Sequence, residues 1–449
     1  MDMVKDKNKI YIFNKGAVLV SLLLSGLLLA ACSTEKRLSS NLKRNFKQSK
    51  ILKGNAVGFV LYDPDNGKQI FEKDGNRYFI PASNTKLFTF YAVLKMLGDS
   101  IPSLRYVERS DSLIFWGTGD PSFLQSRLKS SHALDFLKAT NRKIFFAPGR
   151  YTGLFYGKGW SWDDYNDYYQ AEINEFPIMD NLLSVKMRNG TLQIQPKGFK
   201  DCVITDSSSL NQAFKIQRNL TENLFIHPMG KAPEGFSQEI PYRLSTATTL
   251  ALLSDTLHKP VGLVHMTMPE DAKTYYNVST KALLKEMLQP SDNFIAEQLL
   301  LVCSNQLGNE LSTEKTIKHV LKTYLAALPD SAVWVDGSGL SRMNLVTPRD
   351  MAMVLNLIYK EVKDQNLLFN LLPAGGKSGT LKNAYPRTET PYVFGKTGTL
   401  SNVHNQSGYV MTKKGKVYIY AFMNNNFVAP VSMVRNEIGR IITEVHEKF

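Results

Sequence analysis

Apolar residues cluster in Ala56–Tyr62 (AVGFVLY), stop at Asp63-Pro64-Asp65-Asn66-Gly67, and resume in Lys68–Lys73. That pattern predicts a β-hairpin. The period then changes. Leu87, Phe90, Tyr91, Leu94 and Leu97 recur at helical spacing, with Pro81 suited to a first turn and Gly98 as a stop. A helix is predicted over Pro81–Leu97. From about residue 105 to 245, short β-like runs (DSLIFWGT, RKIFFAP, LLSVKM, TLQIQP, CVITD, LFIHP) alternate with Gly, Pro, Asn and Asp. Helical spacing returns over Thr248–Leu257, Thr280–Leu288, Asn293–Leu307, Thr313–Ala327 and Pro348–Tyr359. Three strands (Tyr392–Val403, Gln406–Thr412, Lys416–Asn424) and a helix (Val431–Lys448) end the chain. The expected fold is α/β (α+β). One discontinuous domain takes residues 51–104 and 246–449, interrupted by a β-rich inserted domain at 105–245.

The N-terminus has a different texture. Lys5, Lys7, Lys9 and Lys15 precede the apolar run Ala17–Ala31. At about 15 residues the run is short for a membrane span and the right size for a secretion signal. It ends in Leu29-Ala30-Ala31-Cys32, which resembles a bacterial lipobox, so residues 1–31 read as a lipoprotein signal peptide and Cys32 as the lipidated residue. An ordinary cleaved signal with an incidental Cys is the other reading. Residues 32–50 are polar and basic and read as a tether, with folded sequence from Ile51. The expected location is the extracytoplasmic cell envelope, lipid-anchored to a membrane.

Composition narrows the class. The chain has 449 residues, 43% hydrophobic and 21% charged, with 29 Gly and 19 Pro. That excludes a disordered chain and a collagen-like fibre, and predicts two or three domains at ~100–200 residues each. The net charge is +14, and residues 1–50 hold ten Lys/Arg against three Asp/Glu. A basic balance suits an anionic polymer or surface. No nucleic-acid-binding signature accompanies it, so no nucleic acid partner is expected. The seven His form no cluster with Cys or carboxylates at ligand spacing, so neither a metal nor another cofactor is expected. Cys303 reads as a buried core thiol and Cys202 lies in a strand-like stretch; a disulfide between them stays open.

The candidate chemistry starts at Ser83-Asn84-Thr85-Lys86. A spacing of three puts both side chains on one helical face, and that face continues into Leu87 and Phe90. A lysine on a buried face loses hydration, which favours its neutral form. A neutral amine beside a hydroxyl is a general base beside a nucleophile. S-x-x-K alone is short, and a capping Ser with a surface Lys explains it equally. Ser291-Asp292-Asn293 opens a helix, and Ser, Asp and Asn are also ordinary cap residues. Lys396-Thr397-Gly398-Thr399 lies in a predicted strand where Gly lets a substrate backbone approach closely; a turn with a solvated Lys is the alternative. Lys377-Ser378-Gly379-Thr380-Leu381 fits the same K-[ST]-G-T-L pattern. Lys396 is preferred because a hairpin, SGYVMTKKGKVYIYAF, follows it, whereas Lys377 follows Pro373 in a Gly-rich loop.

S-x-x-K, S-x-N and K-T-G in that order form the signature of penicillin-binding proteins and class A β-lactamases. The chain resembles the low-molecular-mass class C penicillin-binding proteins, the D-alanyl-D-alanine carboxypeptidase/endopeptidase family. Gly119-Asp120-Pro121, Trp160-Ser161-Trp162-Asp163-Asp164 with Tyr168-Tyr169, Ser291 through Glu297, and Asp336-Gly337-Ser338-Gly339-Leu340-Ser341-Arg342 all resemble stretches of that family. Ser83 and Ser291 are 208 residues apart, far more than a class A β-lactamase needs, and the surplus is the insertion. The resemblance implies a serine β-lactamase/DD-peptidase-like fold and acyl transfer. Ser83 would be the nucleophile and Lys86 its base, with Ser291 and Asn293 relaying the proton and holding the substrate amide. Lys396 and Thr397 would bind the terminal carboxylate, and the N–H groups of Ser83 and Thr399 would form the oxyanion hole beside Gly398. Arg342, with Asp163 or Asp164, would read the free end of a diaminopimelyl side chain. The implied partners are peptidoglycan stem peptides and β-lactam antibiotics. A β-lactamase and a non-catalytic cell-wall-binding lipoprotein of the same fold are the competing readings. No E-x-x-x-N element stands at lactamase spacing, and the intact motifs argue against a dead enzyme.

Overall fold

The computed structural model describes residues 35–128, 130–208 and 213–449. At its centre is a five-stranded antiparallel sheet, in the order Val393–Leu400, Val403–Met411, Val417–Asn425, Ala56–Asp63, Lys68–Lys73. The N-terminal hairpin pairs with the last strand of the chain, so both ends close one domain around everything between them.

Successive strand residues face opposite sides of a sheet. Val60, Ile419, Ala421 and Met423 enter a core shared with Leu87, Phe88, Leu299, Leu300, Val354 and Leu355. Those partners lie on the helices Lys86–Met96, Asn293–Ser304 and Pro348–Glu361. Phe59, Leu61, Tyr420 and Phe422 enter a second core under the C-terminal helix Val431–Lys448, with Ile438, Ile441 and Ile442. Both faces are covered, which is why these strands read as continuous apolar runs rather than as alternating ones.

Two expectations are corrected. Part of the segment read as a tether is helical: residues 35–48 form a helix. Leu38 and Leu42 are buried in the second core, and the Phe46 ring lies 5.2 Å from Phe59 and 5.4 Å from Phe422. Asn41 and Asn45 donate to the two carboxylate oxygens of Glu444 at 3.0 and 2.7 Å. The i, i+4 stripe Leu38, Leu42, Phe46 is what the surrounding basic residues obscure.

The inserted unit is also larger than 105–245. Ser100–Glu108 and Lys273–Ser279 pair with each other in a mixed five-stranded sheet, ordered Val261–Leu263, Lys143–Phe146, Ser112–Gly117, Ser100–Glu108, Lys273–Ser279. The helix Thr246–Leu257 puts Leu252, Leu253 and Leu257 into the insertion's own core, with Phe115, Phe146, Phe225 and Tyr242. Two three-stranded sheets complete it. Residues 100–279 therefore form the second unit. The Gly/Pro-rich texture marks only its middle, because its closing helix and strand look like those of the first domain.

No helix among the described residues is long and apolar enough to cross a membrane. The apolar run Ala17–Ala31 and Cys32 lie outside the described residues.

Candidate active site

Ser83 sits in a 3₁₀ turn, Ala82–Thr85, that runs into the α-helix Lys86–Met96. The sequence predicts one continuous helix, and the tighter turn matters. In a 3₁₀ turn, residues i and i+3 are nearly eclipsed. Lys86 Nζ accordingly donates to Ser83 Oγ at 3.1 Å. Ala82 has φ +48°, a strained value for a residue with a Cβ. The turn is held from outside. Asn405 Nδ2 donates to the carbonyls of Ile80 and Pro81, both at 2.9 Å, and Asn84 Nδ2 donates to Ser407 Oγ at 2.8 Å. A Cβ at Gly339 would lie 1.9 Å from the Ala82 carbonyl oxygen, so only glycine lets the 336–342 loop close onto the turn.

Lys86 is fully buried, whereas Ser83 is only half-buried. All three of the Lys86 N–H directions have acceptors: Ser83 Oγ, Asn293 Oδ1 at 2.6 Å and the Ser338 carbonyl at 2.7 Å. Burial favours the neutral amine and brings its pKa down to about 8, while Glu297, Asp292 and Asp336 pull in the opposite direction. An amine that titrates near neutral pH against a reachable hydroxyl has the properties of a general base.

Asp292 caps the helix Asn293–Ser304, its Oδ1 accepting from the Ile295 amide at 2.9 Å. The cap and the motif are one structure, because capping fixes the turn that presents Asn293 to Lys86. Asn293 Nδ2 donates to the Tyr169 carbonyl of the insertion at 3.1 Å. Ser291 is half-buried in the left-handed region at φ +67° and makes none of the three Lys86 hydrogen bonds.

Lys396, Thr397, Gly398 and Thr399 lie on the edge strand Val393–Leu400. A Cβ at Gly398 would stand 2.5 Å from the Pro81 carbonyl oxygen and 2.9 Å from the Ser83 amide nitrogen. Glycine there lets the strand run alongside the Ser83 turn. Lys396 is fully buried, and its Nζ donates to the Thr397 carbonyl at 2.7 Å. Burial and then the nearby Lys86 charge push it well below the ordinary lysine range. Thr397 Oγ1 donates to Thr380 Oγ1 at 2.8 Å, and Thr399 Oγ1 meets His404 Nδ1 at 2.8 Å. Lys377 is exposed in a turn. Thr380 of the same stretch accepts from the Thr397 hydroxyl.

The profile of the D-Ala-D-Ala carboxypeptidase 3 (S13) family matches residues 38–224 and 247–444. The chain belongs to that family. This S13 chain is similar to the D-alanyl-D-alanine carboxypeptidase DacB of Haemophilus influenzae, 25% identical over 425 residues that cover 84% of this chain and 86% of the relative. It is also similar to a D-alanyl-D-alanine carboxypeptidase of Actinomadura sp., 24% identical over 437 residues, 85% of this chain and 80% of the relative. The crystal structure of penicillin binding protein 4 (dacB) from Haemophilus influenzae aligns with a TM-score of 0.70 at 20% identity, covering 91% of this chain and 99% of that one. The fold expected from the motifs is thus the fold found. Family membership makes the protein a serine D-Ala-D-Ala carboxypeptidase.

In this S13 chain the two residues expected to read a side chain are separately engaged. Arg342 is exposed and donates from Nη2 to the Ser401 carbonyl at 3.1 Å. Asp163 is exposed and accepts from Ser161 Oγ at 2.5 Å. Their segments are in contact: Trp160 Nε1 donates to Asp336 Oδ2 at 2.9 Å, and a Cβ at Gly159 would meet Ser341 and Met343 within 2.9 Å.

Three contributors were not singled out from sequence. Asp336 organises its own loop, accepting from the Gly339 and Ser341 amides at 2.9 and 2.7 Å and from Asn344 Nδ2 at 2.7 Å. Arg127, from the insertion, bridges Glu286 and Asp292. Glu297 lies beneath the site. The signal for Asp336 and Glu297 was their place in family-like stretches; nothing local marks Arg127. Cys202 and Cys303 are both free thiols, the latter buried. Among the described residues, no group of three or more His, Cys, Asp or Glu could hold a metal ion.

Proposed function

We propose that the protein hydrolyses the D-Ala–D-Ala bond of peptidoglycan stem peptides, the D-Ala–diamino-acid cross-link, or both, through an acyl-enzyme on Ser83. One observation carries the assignment of the nucleophile: a fully buried lysine amine, 3.1 Å from a half-exposed serine hydroxyl and tied to Asn293. Lys86 takes the Ser83 proton as Oγ attacks the scissile carbonyl. Backbone N–H groups of Ser83 and Thr399 receive the developing oxyanion, a contribution commonly worth ~3–4 kcal/mol per donor. Ser291 passes the proton to the leaving amine, and Asn293 holds the substrate amide. Lys396 and Thr397 take the substrate's terminal carboxylate, and water then releases the acyl group. A β-lactam enters by the same attack and leaves slowly. The basic N-terminal segment and the lipobox-like Cys32 support an extracytoplasmic, lipid-anchored enzyme.

Product analysis tests the reaction. Stem peptides ending in D-Ala–D-Ala are expected to lose one D-Ala, while penicillin forms a long-lived adduct. Rapid penicillin turnover without peptide cleavage would instead identify a β-lactamase, and neither reaction would identify a non-catalytic wall-binding protein.

Arg342 and Asp163 form the side-chain subsite in this reading. A guanidinium grips a carboxylate bidentately, and an Asp pairs with the ammonium of the same zwitterion. Arg342→Ala is expected to slow cleavage of peptides with a free diaminopimelyl end by roughly 1–3 kcal/mol in transition-state terms. Acylation by simple penicillins is expected to stay near the wild-type rate. Equal losses on both substrates would make Arg342 a support of the site instead.

A further inference from the structure

We propose that Glu297, which lies outside the three motifs, is a positioning residue for the catalytic amine, holding through two backbone amides the loop whose Ser338 carbonyl receives Lys86. This rests on the reading of Ser83 and Lys86 above. Glu297 is one turn into the helix that Asn293 opens, and is buried. Its Oε1 accepts from the Ser338 amide at 2.7 Å and its Oε2 from the Gly337 amide at 3.0 Å. The Ser338 carbonyl accepts from Lys86 Nζ at 2.7 Å, and the Gly337 carbonyl accepts from Thr89 Oγ1 at 2.7 Å. A Cβ at Gly337 would be 2.5 Å from the Ala296 carbonyl oxygen, so helix and loop touch backbone to backbone. The carboxylate therefore sets where the loop stands relative to the amine.

Its charge acts on the same amine. Burial is the largest influence on Lys86, and Glu297 is the first of the carboxylates opposing it, ahead of Asp292 and Asp336. Lys396, on the edge strand, is itself pushed down by burial and then by the Lys86 charge. Around Glu297 itself stand Asp336 and, across a cavity of about 420 Å³ that both carboxylates line, Tyr151, Lys158, Glu310 and Glu314. Burial and the Asp336 charge push Glu297 upward, and the Ser338 hydroxyl and the two amides pull it back. Both of its oxygens already accept N–H groups, the geometry of the ionised form.

The sign follows. Removing a negative charge near Lys86 makes its ammonium less favourable, so the neutral amine persists to lower pH. Acylation by a fluorescent penicillin, followed as a second-order rate against pH, reads this out. Glu297→Gln is expected to move the acid limb to lower pH. It is also expected to reduce the plateau at least tenfold, because the amide's NH2 end replaces one of the two acceptor oxygens and sets a donor against a backbone N–H. Glu297→Asp keeps the charge and shortens the reach, so the plateau falls while the limb stays. Thr89→Val loosens the same loop without touching the charge and is expected to behave like Glu297→Asp. An unmoved acid limb in Glu297→Gln overturns the electrostatic role. Wild-type plateaus in Glu297→Asp overturn the positioning role, and that variant still decides the matter where Glu297→Gln does not fold. Absence of labelling in the wild-type protein would overturn the Ser83 reading instead, so the two failures are distinguishable.

Discussion

Ser83→Ala abolishes covalent labelling by a fluorescent penicillin while the protein still unfolds at close to the wild-type temperature. The first half follows from the chemistry: among the described residues no other hydroxyl hydrogen-bonds Lys86 Nζ, whose remaining partners are an amide oxygen and a backbone carbonyl. The second half follows from the packing. Ser83 is half-buried, and its loss takes one of three acceptors from Lys86 while Asn293 and Ser338 keep the amine in place. The 3₁₀ turn is held by Asn405, Asn84 and the close approach of Gly339, none of which needs the Ser83 side chain. Gel fluorescence together with a thermal melt checks both halves. Labelling that persists would move the nucleophile elsewhere.

Lys396→Ala lowers peptidase activity by about 10²–10³-fold or more, the scale of losing one preorganised donor in a water-poor site. Lys377→Ala changes it by about twofold or less, as exposed substitutions do. Both lysines begin a K-[ST]-G-T-L sequence, and the structure separates them. Lys396 is fully buried on the strand whose Gly398 lies against the Ser83 turn; Lys377 is exposed. Steady-state kinetics of the two variants on one stem peptide measure the difference. Comparable losses would mean that the second box also supplies a substrate-binding lysine.

The motif residues were legible in sequence because their chemistry is local. Ser83 and Lys86 share one turn, and Lys396 to Thr399 share one strand, so spacing alone aligns them. The sheet was legible for the same reason: apolar runs separated by turn residues need no knowledge of their partners. What escaped depends on distant partners. Glu297 acts on amides 40 and 41 residues away, and Trp160 reaches Asp336 across 176 residues. The 3₁₀ geometry at Ser83 comes from contacts made by Gly339 and by the Asn405 side chain, so local propensity does not distinguish it from an α-helical turn. The insertion's true ends at residues 100 and 279 are set by the pairing of Ser100–Glu108 with Lys273–Ser279, a long-range contact no composition shift announces. The helix at 35–48 was hidden by charge: its polar face carries the basic residues, and only the Leu38, Leu42, Phe46 stripe points to burial.

These pieces make one device. A strained turn, pinned by two asparagines and two close-packed glycines, holds a hydroxyl above a dehydrated lysine. A helix cap aims Asn293 at that lysine, and a loop organised by Asp336 and Glu297 supplies its third partner. The insertion reaches the same place twice, through Trp160 onto Asp336 and through the Tyr169 carbonyl onto Asn293. The added unit is therefore joined to the loop and the helix end that hold Lys86.

Mass spectrometry of the penicillin-treated protein tests the central claim most directly. The account predicts one added penicilloyl mass per chain, mapped after proteolysis to the peptide that contains Ser83. An adduct on any other residue, or a wild-type protein that carries none, would contradict it.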